Sequence, residues 1–272
     1  MLSFFILITT IAAHDIILSS GLDNWTESQL MDQYNIYSTY AKMNIISASS
    51  ILVYNLDEDG NLNTYNTTYK NITAEIYQIM IKDLGLPAYP CLFCDATIGN
   101  CANLNNRLEN LYSHQQEFIN TTLDRAQKFN WSGYIVDFEP DQSIDADKLT
   151  HFIIDWSSQL KAINKILFVW YGQTTNYNMH LLFNTDNVRL LTINTYVSNY
   201  NNFIDVASQS LVKINDTSRL GFGLLTSEDM SEEDIIKIAK WCNLTNINLL
   251  NLWASTIPAL WFEGLHDYKN SP

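Results

Sequence analysis

Basic side chains are scarce in this chain. Fifteen lysines and arginines stand against 29 aspartates and glutamates, a formal net charge of −14 with a sequence pI near 4.5. Such a surface repels phosphate backbones and anionic membranes, and no basic patch with interleaved aromatics offsets it, so nucleic acid is not an expected partner. Glycine is sparse too, at 9 in 272 residues. The stretch SSGLDNW (19–25) holds one glycine where a dinucleotide-binding turn needs several, and Gly221-Phe222-Gly223 lacks the third. No cofactor is expected. Five prolines and no Pro/Ser/Gly-rich stretch leave no linker, which favours a single domain. The four cysteines are Cys91, Cys94, Cys101 and Cys242, and Cys91-Leu-Phe-Cys94 has neither a second such pair nor a histidine partner. Metal is therefore not expected. No segment beyond the amino terminus is long and apolar enough for a membrane span.

What is present begins with MLSFFILITTIAAHD, whose apolar run from Phe4 to Ile11 is followed by small Ala12 and Ala13. This reads as a signal peptide over 1–13, with the folded domain over 14–272. Glycosylation acceptors at Asn24, Asn66, Asn71, Asn120, Asn130, Asn215 and Asn243 fit the same route. The expected location is outside the cell or in a lysosomal or vacuolar lumen, and the expected state is a monomer. In that oxidising setting Cys94 and Cys101 are the expected disulfide, because a short loop joins them while Cys91 lies earlier in its strand.

Short apolar or β-branched runs alternate with segments of helical period. The runs are 15–20, 45–54, 88–94, 133–139, 166–172, 189–197, 219–225 and 247–254. Eight such runs predict a (β/α)8 TIM barrel, an α/β fold whose active site sits at the C-terminal ends of its strands. Thr26 with Gln29 and Ser231 with Asp234 read as helix starts.

The fourth run is GYIVDFE, ended by Pro140. Side chains alternate along a strand, so Ile135, Asp137 and Glu139 share one face and two carboxyls converge at the tip. The same alternation groups Thr192, Asn194 and Tyr196 on the sixth run, Asn251 and Trp253 on the eighth, and Tyr171 and Gln173 at the end of the fifth. Each has a plainer reading: Trp253 as core, the tyrosines as barrel plugs, either acid as half of an ion pair. Acids, tyrosine and tryptophan on separate strands at equivalent heights point instead to carbohydrate chemistry.

These residues resemble glycoside hydrolase family 18, the chitinase and chitobiase group, over nearly the whole chain. FINTTLDRAQKFNWSGYIVDFEP (118–140) is similar to the family's helix and its D-x-x-D-x-D-x-E strand, of which Asp137 and Glu139 match the last two acids. Tyr196 matches the sixth-strand tyrosine and Trp253 the last-strand tryptophan. VWYGQTTNYNMHLLFN (169–184) resembles endo-β-N-acetylglucosaminidases, with Tyr171 at a functional position. Ser132 and Ile135 stand where the motif has its first two acids, Val197 replaces an acid after the tyrosine, and Cys94-Asp95 replaces a glycine pair. The resemblance implies a retaining, substrate-assisted hydrolase of β-linked N-acetylglucosamine, in chitin oligomers or an N-glycan core. Glu139, raised in pKa by the nearby Asp137 charge and an enclosed apolar mouth, would be general acid. Asp137 would serve the acetamido N–H, Tyr196 or Tyr171 its carbonyl oxygen, and Trp253, Tyr171, Gln173, Asn194 and Asn251 would bind sugar. The departures keep a non-catalytic, chitinase-like lectin open.

Overall fold

The computed structural model describes residues 14–21, 26–65, 72–96, 101–140, 144–172, 176–253 and 256–271. The expected signal peptide, the sequons at Asn24, Asn66 and Asn71, and Gln173 lie outside them. Among the described residues nine strands form one sheet: β1 (Asp15–Ser20), β2 (Ala48–Leu56), β3 (Leu62–Thr64), β4 (Cys91–Asp95), β5 (Gly133–Glu139), β6 (Ile166–Tyr171), β7 (Val188–Thr192), β8 (Leu220–Leu225) and β9 (Leu249–Trp253). Eight of them pair in parallel, and pairing of β1 with both β2 and β9 closes the barrel. The expected (β/α)8 barrel is the observed fold. The remaining strand, β3, folds back antiparallel on β2 through the turn at Asp57–Gly60 and escaped the sequence reading.

The helices are α1 (Glu27–Lys42), α2 (Ala74–Lys82), α3 (Leu104–Ser113), α4 (Gln115–Lys128), α5 (Ala146–Ala162), α6 (Met179–Phe183), α7 (Tyr200–Leu211), α8 (Glu232–Leu244) and α9 (Phe262–Lys269). Thr26 and Gln29 form the expected capping box on α1, and Ser231 caps α8 by accepting from the Asp234 N–H. Among the described residues no helix is long and apolar enough to cross a membrane.

Parallel strands in a barrel are covered on both faces, so two apolar cores result. The larger lies between strands and helices and holds Trp131, Trp156, Trp261 and Tyr37. Its polar handles are used: the indoles of Trp131, Trp156 and Trp261 donate to Tyr54, Thr122 and Met230, and Tyr37 donates to the carbonyls of Leu18 and Ser50. The smaller fills the lumen with Ile17, Ala48, Cys91, Ile135, Phe168, Trp170, Leu191 and Leu249. Gly133 starts β5 where a β-carbon would meet the Ile166 carbonyl oxygen at 1.9 Å, so only glycine admits this approach of β5 to β6.

The expected disulfide between Cys94 and Cys101 is present, while Cys91 and Cys242 are free and buried. Cys94, next to last in β4, faces the helix side, where its sulfur accepts from the Leu56 N–H. The bridge ties the segment after β4 to the end of β2.

Candidate active site

Ile135 belongs to the lumen cluster, so alternation along β5 turns Asp137 and Glu139 into the lumen above it. Both reach the C-terminal mouth, as the sequence predicts. Asp137 is 3% exposed and Glu139 is half-buried. On the neighbouring strand Cys91, Phe93 and Asp95 lie level with Ile135, Asp137 and Glu139. A third carboxyl, Asp95, therefore stands beside Glu139, and it is itself 6% exposed.

Burial first, then the charges of Glu139 and Asp95, push the Asp137 carboxyl well above the ordinary range. Glu139 is raised by burial and by Asp95. The neighbour that raises Glu139 is thus Asp95, where sequence reasoning expected Asp137. Asp137 sits deeper than Glu139.

Tyr196 reaches the lumen by a route that alternation does not describe. β7 ends at Thr192, and the turn closed by the Tyr196 N–H on the Ile193 carbonyl swings the chain inward. Thr195 locks that turn by donating its hydroxyl toward the carbonyls of Thr192 and Gly223. The ring then lies over Gly223, and burial together with Asp137, Cys91 and Glu139 raises its hydroxyl pKa. From β9, Asn251 donates to the Ser19 hydroxyl at 2.7 Å, and above it Trp253 meets Trp170 edge-on at 5.1 Å.

Two expected sugar-binding residues lie elsewhere. Trp170 takes the lumen face of β6, so Tyr171 points to the helix layer and packs edge-on against Phe183 at 5.9 Å. Asn194 joins Tyr171, Met179, Gln209 and Lys213 around an outer cleft of about 270 Å³. The error was one of phase: Gly172, not Tyr171, continues the inward series from Phe168 and Trp170. Sequence reasoning also passed over Trp170, Asp95 and Tyr177. The last is buried close to Asp137, and burial and that carboxyl raise its hydroxyl pKa. Only the Asp95 departure left a signal, as the acid replacing a family glycine.

Around the lumen, Asp137 Oδ1, Trp170 Nε1, the Tyr196 hydroxyl, Asn251 Oδ1 and the Ser50 hydroxyl are buried without a hydrogen-bond partner. Buried polar atoms are ordinarily satisfied, as they are around the helix-layer tryptophans. A ligand that fits this mouth must offer acceptors to an indole N–H and a phenol and a donor to an amide oxygen. Among the described residues no cluster suited to a metal ion occurs.

No protein-family model and no curated protein matches the chain. Solved structures do. A chitinase from Chromobacterium violaceum ATCC 12472 superposes with a TM-score of 0.74 at 13% identity, covering 96% of this chain and 100% of that one. The GH18 chitinase ChiB of Flavobacterium johnsoniae gives 0.64 at 12%, covering 95% and 94%. The fold is that of the family 18 chitinases. It also carries a chitinase-like agglutinin, RobpsCRA of Robinia pseudoacacia, at 0.66 and 12% identity over 93% and 99%. At these identities the likeness is one of fold.

Proposed function

We propose that this barrel is a retaining glycosidase acting on β-linked N-acetylglucosamine, in chitin oligomers or the core of N-glycans. One observation carries the proposal: Asp137 and Glu139 stack on one lumen face at the mouth, amid the unpartnered donors of Tyr196 and Trp170. Glu139 is the general acid and protonates the departing glycosidic oxygen as the bond to the anomeric carbon breaks. The substrate's acetamido oxygen forms the new bond to that carbon, giving an oxazolinium ion, so the enzyme supplies no nucleophile. Water then attacks the anomeric carbon, returns a proton to Glu139 and reopens the acetamide.

The direction of both shifts suits this sequence of events. In the free site Asp137 and Glu139 are each pushed toward the neutral form. A bound sugar excludes water from Glu139, while a developing cation beside Asp137 favours its carboxylate. Both changes place the proton on Glu139 and leave Asp137 charged against the oxazolinium. Tyr196 donates to the acetamido oxygen, and Trp253 and Trp170 wall the sugar.

A lectin is the second reading. Ile135, fully buried beneath Asp137, favours it, because the acid that shares a proton with Asp137 in the family motif is absent. Fluorogenic N-acetylchitooligosaccharides and an N-glycan, offered to the purified protein, separate the two. The enzyme reading expects β-anomeric product, and Glu139→Gln slows turnover at least about a hundredfold with sugar affinity kept. Tight binding with no product after long incubation would establish the lectin instead. We also propose a secretory route, supported by the sequons and the disulfide.

A further inference from the structure

The third carboxyl of the mouth is absorbed by neither motif nor mechanism. Asp95 and Glu139 are partners in the parallel ladder of β4 and β5, so their α-carbons face each other across about 4.8 Å of strand spacing. Alternation from Cys91 and Phe93, both on the lumen side, turns Asp95 toward the same space as Glu139. The pair cannot separate easily. The Ala96 N–H donates to the Glu139 carbonyl at 3.2 Å just past the strand end, and Cys94, the residue before Asp95, is bonded to Cys101. Asp95 is nearly out of water, which weakens the screening that would let two carboxylates ignore each other.

Among the described residues the groups facing Glu139 are Asp95 from β4, Asp137 from its own strand, Tyr177 from the β6–α6 connection and Tyr196 from the turn after β7. Among the described residues no lysine or arginine contributes to its shift. Below, where a further acid would act on Asp137, the chain has Ile135. Negative charge enters from the mouth side instead.

We infer that Asp95 is a positioning residue for the proton of Glu139: the β4–β5 register and the Cys94–Cys101 bridge lock its carboxyl beside the general acid, where it governs how that acid holds its proton. The inference rests on the assignment of Glu139 as the acid and adds a residue that the family motif does not contain. Its action is electrostatic, through Glu139, and requires no contact with sugar.

Two readouts keep this inference apart from the enzyme assignment. The first is a carbon-13 titration of the Asp95 and Glu139 carboxyls by NMR in the whole chain. Wild-type protein should show each carboxyl sensing the other's step, and Asp95→Asn, nearly isosteric, should lower the Glu139 midpoint by about 0.5 to 1 pH unit. Asp95→Glu should restore it. Independent single-step titrations in wild type, or a midpoint unmoved by Asp95→Asn, would overturn the inference whether or not the protein hydrolyses sugar. The wild-type coupling decides alone should the variant fail to fold. The second readout is kcat/KM against pH on a chromogenic di-N-acetylchitobioside: the alkaline limb should move down by the same amount in Asp95→Asn, with the plateau within about threefold of wild type. A uniform loss with an unmoved limb would mark Asp95 as merely structural. If wild type releases no product at any pH, the acid assignment falls while the NMR result still stands.

Discussion

The Tyr196 ring occupies the space that a side chain at Gly223 would need: a β-carbon there would lie 2.5 Å from the tyrosine's Cε1. The absence of a side chain on β8 therefore sets the position of a phenol carried by the turn after β7. Gly223→Ala should displace Tyr196 and lower turnover on N-acetylchitooligosaccharides about 10- to 100-fold, since small misplacements of a positioning group are expensive. Stability should fall far less than activity. Equal turnover in variant and wild type would remove Tyr196 from the mechanism.

The two tyrosines that sequence reasoning held as alternatives are now separable. Tyr196→Phe should cut turnover at least about tenfold, whereas Tyr171→Phe, altering a hydroxyl on the helix side, should leave it within about twofold. Trp170→Phe keeps an aromatic wall but removes the inward indole N–H, and should weaken oligosaccharide binding about fivefold. Isothermal titration of inactive Glu139→Gln protein carrying each change measures this directly.

The raised pKa of Asp137 makes stability depend on pH with a definite sign. Its folded value lies above the unfolded value of about 4. The folded state thus binds the proton more tightly, and this contribution is full below about pH 4 and lost as pH rises through the folded pKa. Asp137→Asn, neutral at every pH, should match wild type near pH 4 and exceed it at pH 8 by on the order of 1–3 kcal/mol, roughly 5 °C in Tm. Thermal unfolding at pH 4, 6 and 8 tests it; a variant less stable at pH 8 would contradict the burial argument.

Glycan occupancy should follow exposure. Asn120, Asn130 and Asn215 are exposed, whereas the Asn243 amide nitrogen, the atom a glycan would use, donates to the Ser271 hydroxyl at 2.6 Å and is only partly accessible. Protein from a secreting eukaryotic host should carry sugar on the first three and little on Asn243, as read by deglycosylation in oxygen-18-labelled water and peptide mass mapping. The same maps should recover Cys94 joined to Cys101, with Cys91 and Cys242 labelled only after unfolding.

Much of this was legible from residues alone where a strand has one distinctive face or a hard stop. GYIVDFE ends at Pro140, so its parity and its tip could both be read, and Asp137 and Glu139 fell where expected. ILFVWY offered no such cue. A barrel strand is apolar on both faces, and neither tryptophan nor tyrosine declares which side it takes. The run to Val197 misled differently: INTYV contains no glycine or proline to announce a turn, and the chain leaves the strand at Thr192 because Thr195 can cap it. Asp95 was visible as an oddity, but its role needed the β4–β5 register, which is set by packing across sequence distance.

The plug of Ile17, Ala48, Cys91, Ile135, Phe168, Leu191 and Leu249 closes the lumen beneath the acids with apolar side chains. Among the described residues that layer offers no carboxyl or amine, so the protons of Asp137 would exchange with water past Glu139, at the mouth. A sugar seated there as proposed would close that way. The number of protons in the mouth would then be settled at the moment of binding and hold until the sugar left, whatever the solution outside did in the meantime.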